Sequence, residues 1–360
     1  MATTLEDLIG YEVLTGVIQS PDDGIPNIWP ASFMSTTQNV DGKDAKWLKV
    51  ASTRRNARAV NYGSASRKAG QSSGTPMAAE CVHFFEHITF EPAILEAIGR
   101  LEDPRQLDKA RSWINFQLSD FKLKFINSRI SSLSSMFRYG YIYMDGDGNV
   151  LPSSSGATQS IDLGIPSTNK DQLNGIISAD WSNASTPILK NLQNLQKQAR
   201  KNGKPIKYIY YGVDILSYLL ANTEIKQLMV SDVGLTSSLR QGKIPDGFGI
   251  AGVVWVPLQD AFFDDSTGTN QDWFPADFIV AFPEADTSWF AMQVGSYPVP
   301  TSLDVQTDAL SAISSLDHIN GMFSYATVSF DPVGVKMHVG DTFLPAPKNP
   351  NSIFIGNTVV

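Results

Sequence analysis

A single cysteine, Cys81, stands among the 360 residues, so no disulfide can close within the chain. Folding in a reducing compartment fits that count, and the disulfide frameworks of small exported proteins are excluded. Histidine is almost as scarce: His83, His87, His318 and His338 are the four. His83 and His87 are four apart, but Phe84 stands where a zinc-protease motif requires glutamate. No metal site is expected. Charge is thin, with 18% of residues Asp, Glu, Lys or Arg against roughly 25% in ordinary soluble domains. More surface is thereby left for burial between subunits. No run of 18 apolar residues occurs, so no membrane span is expected. The start, Met1-Ala-Thr-Thr-Leu-Glu-Asp7, has no basic n-region and no signal-peptide core.

Catalytic signatures are missing too. There is no Walker loop and no G-x-S-x-G. Gly247-Phe-Gly-Ile-Ala-Gly252 matches G-x-G-x-x-G, but strand-like Val253-Val-Trp-Val-Pro257 follows it, where a dinucleotide site needs a helix. Asp145-Gly-Asp-Gly-Asn149 opens like a calcium loop. Val150 then replaces the required glycine, and Gly156 replaces the closing glutamate. A hairpin turn is the better reading. Cys81 lacks any local sign of activation. No catalytic, cofactor or metal residue is assigned, and no enzyme activity is expected.

What the chain does have is a concentrated basic stretch. Lys43 to Lys68 holds eight Lys or Arg against Asp44, a net of +7 in a chain whose total is −8. Trp47, Leu48, Val50, Val60 and Tyr62 are interleaved, and a Gly/Ser-rich segment follows. Such a span has too little apolar surface for its own core. Its β-branched, aromatic and glycine content predicts a long two-stranded ribbon, which needs a surface to lie on. The acidic remainder of the chain, or an acidic copy of it, is the natural partner. A pI near 5.0 argues against a general nucleic-acid binder. A solvated basic loop is the plainer alternative.

The length suggests two or more packed units. Thr4 to Ile18 reads as a helix on an apolar stripe, followed by extended chain. Glu91-Pro92 opens a short helix. Asp103 and Pro104 then start the longest element, helical to Arg138, with Gly140 as its stop. Its apolar residues, from Leu107 to Phe137, recur every three or four positions along a drifting stripe. Tyr139 to Met144 reads as a strand entering a hairpin, and Ser153 to Gly175 as loop with Trp181 an anchor after it. Thr186-Pro187 caps a helix over Ile188 to Ala199. Strands over Ile206–Tyr211, Ile250–Val256, Phe278–Phe282 and Trp289–Val294 alternate with a helix over Val213–Leu220 and a further helix, capped by Thr223, to Met229. Strands over Tyr325–Phe330, Val333–Val339 and Ile353–Val359, punctuated by Asp331-Pro332 and Pro345-Ala-Pro-Lys-Asn-Pro350, close the chain.

This order resembles the major capsid proteins of tailed bacteriophages with the HK97 fold, and more closely the lambda-type major head protein (capsid protein E) family. The local matches are the long helix leading into Tyr139–Met144, the stretch Trp273–Phe282, and the closing Pro345–Val359. The resemblance implies an α+β fold. Residues 1–39 would be an N-terminal arm and 40–85 an extended β-ribbon loop. Residues 86–185 with 319–360 would form a peripheral domain of spine helix and sheet, and 186–318 an α/β axial domain.

It also implies self-assembly through hexamers and pentamers into an icosahedral virion head enclosing double-stranded DNA, built in the host cytoplasm. Scaffold, portal and decoration proteins would be further partners, with DNA touched only weakly and no membrane involved. Lys46, Lys49, Arg54, Arg55, Arg58, Arg67 and Lys68 are the expected inter-subunit contacts of the extended loop. Two alternatives stand beside this: an encapsulin-like nanocompartment shell, and a cytosolic α/β enzyme built on 186–318.

Overall fold

The computed structural model describes residues 6–19, 29, 31–50, 74–98, 100, 103–146, 148–151, 154–170, 180–258, 261–264, 268–284, 286, 289–300, 316–330 and 333–359. The N-terminal stripe forms two helices, α1 (Glu6–Ile9) and α2 (Tyr11–Gln19), rather than one. Gly10 separates them, and glycine is a poor interior helix residue. Leu8, Ile9, Leu14 and Ile18 are buried against their own chain, and the Thr15 hydroxyl donates to the Ser324 carbonyl at 3.0 Å. The described part of the expected arm is thus folded back. After it come α3 (Ala31–Ser35), β1 (Thr37–Val40), β2 (Asp44–Val50), β3 (Gly74–Glu80), β4 (Val82–Thr89) and α4 (Pro92–Ile98).

Helix α5 (Pro104–Tyr139) runs 36 residues, about 54 Å at 1.5 Å per residue. Asp103 caps it by accepting from the Arg105 N–H at 3.0 Å. Gly140 ends it in the left-handed region, φ 75°, its N–H bonded to the Met136 carbonyl. The drifting stripe has a structural counterpart. Ala110, Ile114, Leu118, Phe121 and Phe125 pack with α1, α2 and α4. Ile130, Leu133, Met136 and Phe137 enter a second core with Trp29 and Phe33. One helix thereby serves two cores.

Strands β5 (Tyr141–Met144), β6 (Val150–Leu151) and β7 (Gln159–Asp162) form a small antiparallel sheet in the order β6-β5-β7. The Ser153–Gly175 expectation of loop misses β7. Its residues, apart from Ile161, are polar and exposed, so no apolar alternation marks it. The 145–149 turn is held by Asp145, which accepts from the Asn149 N–H at 2.8 Å.

The next run is α6 (Ile188–Lys201), β8 (Tyr208–Tyr211), α7 (Val213–Ala221), α8 (Thr223–Ser231), α9 (Val233–Arg240), β9 (Val254–Pro257), β10 (Ala261–Asp264), β11 (Thr269–Asp272) and β12 (Phe278–Phe282). Two expected caps are corrected. Thr186 does not cap α6; its hydroxyl donates to the Asp180 carbonyl. Asn222, not Thr223, caps α8, accepting from Glu224 and Ile225 at 3.1 and 3.2 Å, because its backbone is still extended where Thr223 is already helical. Trp181 anchors as expected, buried and with its backbone N–H on the Thr358 carbonyl.

Strands β13 (Phe290–Pro300), β14 (Leu316–Asn320), β15 (Phe323–Phe330), β16 (Val333–Pro347) and β17 (Phe354–Asn357) complete the chain. A four-stranded sheet has the order β17-β12-β8-β9, with β8 and β9 parallel. Strand β12 is buried throughout, and its alternation divides the two faces between cores. Phe278, Val280 and Phe282 join the core of the C-terminal half of α5, while Ile279 and Ala281 join that of α6–α9. The six-stranded sheet runs β1-β13-β16-β15, with β14 on β13 and β4 on β16.

Strand β16 continues through Pro345 and Pro347, which the sequence reads as punctuation. The Lys348 N–H bonds the Trp289 carbonyl at 2.6 Å, so even-numbered N–H groups here face β13. The two prolines fall on the other side, beyond the end of β4 at Val82 opposite Phe343, where no donor is required. Pairing also ties the 186–318 span to the closing span: β13 pairs with β16 and β12 with β17.

Candidate assembly surfaces

The basic span begins as a ribbon. Asp44–Val50 pairs antiparallel with Gly74–Glu80, so the return strand lies beyond Lys68 in the Gly/Ser-rich lead-out. Alternation gives the stem two faces. Ala45 and Trp47 are buried, with Trp47 in the core under the C-terminal half of α5. Lys46 and Leu48 point outward, Leu48 half exposed. Lys49 lies on the inner face, where its ammonium donates to the Gly164 carbonyl at 2.6 Å. Lys43 meets Glu80 at 2.5 Å with both side chains well exposed, the kind of pair that contributes little. Arg54, Arg55, Arg58, Arg67 and Lys68 lie outside the described residues.

One ion pair differs in kind. Arg129, on α5, makes a two-pronged contact with Asp341 on β16, Nε to Oδ2 and Nη2 to Oδ1, both 2.7 Å. The Asp341 side chain is fully buried and that of Arg129 nearly so. The guanidinium also lies over the Phe343 ring. This pair fixes the spine helix on the six-stranded sheet.

All four histidines fall on that sheet, on β4, β14 and β16. His83 shares a hydrogen bond with Thr342 at 2.7 Å and stacks on Tyr297. His338 bonds Thr327 and stacks on Tyr325, and its ring lies 5.7 Å from that of His87. Burial holds both His83 and His338 below the usual imidazole pKa. Among the described residues no group of three or more His, Cys, Asp or Glu could hold a metal. The imidazoles of His83, His87 and His338 belong to an aromatic layer with Phe85, Tyr297, Phe323 and Tyr325. Cys81 is buried, which pushes its thiol up to about 11 and keeps it unreactive.

The glycine motif at 247–252 closes on itself through the Gly247 N–H and Val253 carbonyl, 2.7 Å, and leads into β9. Where an enzyme on 186–318 requires a deep polar pocket, this unit carries an open groove on α6 lined by Lys197, Arg200 and Lys201. Sequence reading passed over that cationic cluster, although a count of charge by segment reveals it. Among the described residues no helix is long and apolar enough to cross a membrane.

A spine helix, a ribbon and two sheets in this arrangement define an HK97-like capsid fold. A phage-related protein from Bordetella bronchiseptica RB50 matches at TM-score 0.50 and 10% identity, covering 97% of both chains. A capsid protein of a prophage in E. coli CFT073 matches at TM-score 0.48 and 15% identity over 79% of each chain. No curated protein matches. The family model described as phage major capsid protein E matches residues 13–358, and the chain belongs to that family. Its function is that of a shell-forming capsid subunit, a structural role rather than an enzymatic one.

Proposed function

We propose that copies of this chain associate into hexamers and pentamers that close an icosahedral head around double-stranded DNA in the host cytoplasm. The supporting observation is the ribbon stem. Trp47 pins it to the body, and from its end leaves a span, 51–73, with five cations and no acid. A strongly basic span without its own core fits the acidic surface of a neighbouring copy. Arg54, Arg55, Arg58, Arg67 and Lys68 would make that contact, with Lys46 at its outer base. Apolar burial at roughly 25 cal/mol per Å² supplies the assembly energy, and charge sets register and partner choice. In this reading the N-terminal span, α5 and the six-stranded sheet form the peripheral part, and α6–α9 with the four-stranded sheet the axial part.

The test is sedimentation with negative-stain imaging of the chain expressed with its head-assembly partners, scaffold and portal included. Closed shells or five- and six-membered rings support the reading. A lone monomer under those conditions contradicts it. DNA in the particles separates a virion head from a nanocompartment holding protein cargo.

A further inference from the structure

Between Lys190 and Lys207 there are six cations and no acid. Lys204 is engaged by Asp286. Helix α6 buries Ile188, Leu192, Leu195 and Ala199, and that orientation leaves Lys190, Lys197, Arg200 and Lys201 exposed. Their spacing keeps them on one side of the helix, along about 16 Å at 1.5 Å per residue. Among the described residues none of these four is paired with a carboxylate. Arg200 and Lys201 stand in the last turn, where cations offset the helix dipole. Lys190 and Lys197 stand earlier, where that reason is absent.

The glycine motif lies against this helix. Gly247, Gly249 and Gly252 all have positive φ, 81°, 68° and 76°. A Cβ at Gly249 would stand 2.6 Å from Leu192 Cδ1. The glycines therefore shape the loop and let its backbone approach α6. The N–H groups of Gly249, Ile250 and Ala251 bond to no acceptor among the described residues. Helix and loop bound an open groove of about 640 Å³. Gln193, Gln196, Lys197, Arg200 and Lys201 line it with residues 249–251, and no Asp or Glu does.

Cationic side chains, side-chain amides and backbone N–H groups are what hold phosphate oxygens in protein–DNA contacts. A protein partner needs apolar or aromatic anchors, and none of the exposed large apolar side chains lines this groove. The groove is open, and the cations continue beyond it to Lys190, which suits an extended polyanion better than a single small anion.

We propose that the α6 groove binds the phosphate backbone of the enclosed double-stranded DNA, with the C-terminal half of α6 on the inner wall of the shell. This rests on the assembly reading, which supplies the duplex, and adds the place where the wall touches it.

Two measurements test it. The first follows a fluorescent duplex of about 30 base pairs on the purified full-length subunit by anisotropy. Three phosphate contacts at about 0.9 each make the salt slope of log Kobs about 2.7 shallower in K197Q/R200Q/K201Q. Between about 50 and 200 mM salt the wild-type chain then loses roughly fortyfold more affinity than the variant. Inorganic phosphate displaces the duplex no better than chloride at equal ionic strength. The second uses filled heads. In a Cys81→Ala/Lys197→Cys chain, an aryl azide attached at position 197 couples to the packaged DNA on illumination.

Equal slopes in wild type and variant, or displacement by phosphate beyond its ionic strength, overturn the duplex contact while leaving assembly intact. Unchanged duplex binding with loss of shells in the variant also overturns it, in favour of a protein partner. Filled heads without a cross-link overturn the placement on the inner wall. Groove-dependent duplex binding by a wild-type chain that forms no shells upholds the contact and sinks the assembly reading.

Discussion

The Lys43–Lys68 span and helix α6 are two basic regions of an acidic chain, and they rest on different supports. The described stem of the first is tied down by the inward Ala45 and Trp47 and by Lys49 on the same face. Helix α6 buries a complete apolar stripe, so its cations ride on a structure that stands without them. Charge is conspicuous in the first because little else is there. In the second it is masked by an ordinary amphipathic helix. Both contrast with Arg129–Asp341, where charge has been taken inside the fold.

If that contrast is right, the largest effect comes from reversing Arg54, Arg55 and Arg58 together. Shells disappear in sedimentation and negative stain, while circular dichroism and the melting temperature of the subunit stay unchanged. Normal particles would remove the distinction between cations that act between copies and those that act within one.

Next comes Arg129→Ala, which leaves Asp341 buried without its partner. The subunit loses about 3–5 kcal/mol in denaturant titration, whether or not it assembles. A change below about 1 kcal/mol would mean that Asp341 finds water or another donor.

A smaller effect is expected from acid. Burial lowers the pKa of His83, opposed by Asp341, and of His338, reinforced by His87 and Lys336. Each therefore binds protons less readily when folded. Their contribution is complete above the ordinary imidazole pKa of about 6.5 and is lost as pH falls through their lower folded values. The melting temperature should decline from pH 7.5 to 5.5, and less steeply in a His83→Asn/His338→Asn variant. Equal slopes would assign the decline to other groups.

The smallest is Lys43→Ala. Its exposed pair with Glu80 should leave the unfolding midpoint unchanged, and a clear drop would show that the stem depends on charge as well as on Trp47.

Local signals located much of this architecture. Asp103-Pro104 and Gly140 bound α5 because each of those residues satisfies a terminus geometry by itself: a side-chain acceptor, a preset φ, a tolerated positive φ. The tyrosine strand after it and the buried run Phe278–Phe282 were equally legible. Position 222–223 was not, because Asn and Thr are both good caps and only the backbone conformation decides between them. Strand β7 was missed because its sequence is polar. Strand β16 was cut short because a proline ends a strand only if its missing donor was needed, and that depends on which neighbour lies alongside.

The sequence by itself determined the helix termini, the apolar stripes and the uneven distribution of charge. All of these follow from residues within one or two turns of each other, or from counting. Only the tertiary structure decided that the N-terminal helices return to α5, that β13 and β17 join spans that read as separate, and that the glycine loop 247–252 lies against α6. Those are long-range pairings, and no local propensity encodes which strand edge or helix face a segment will meet.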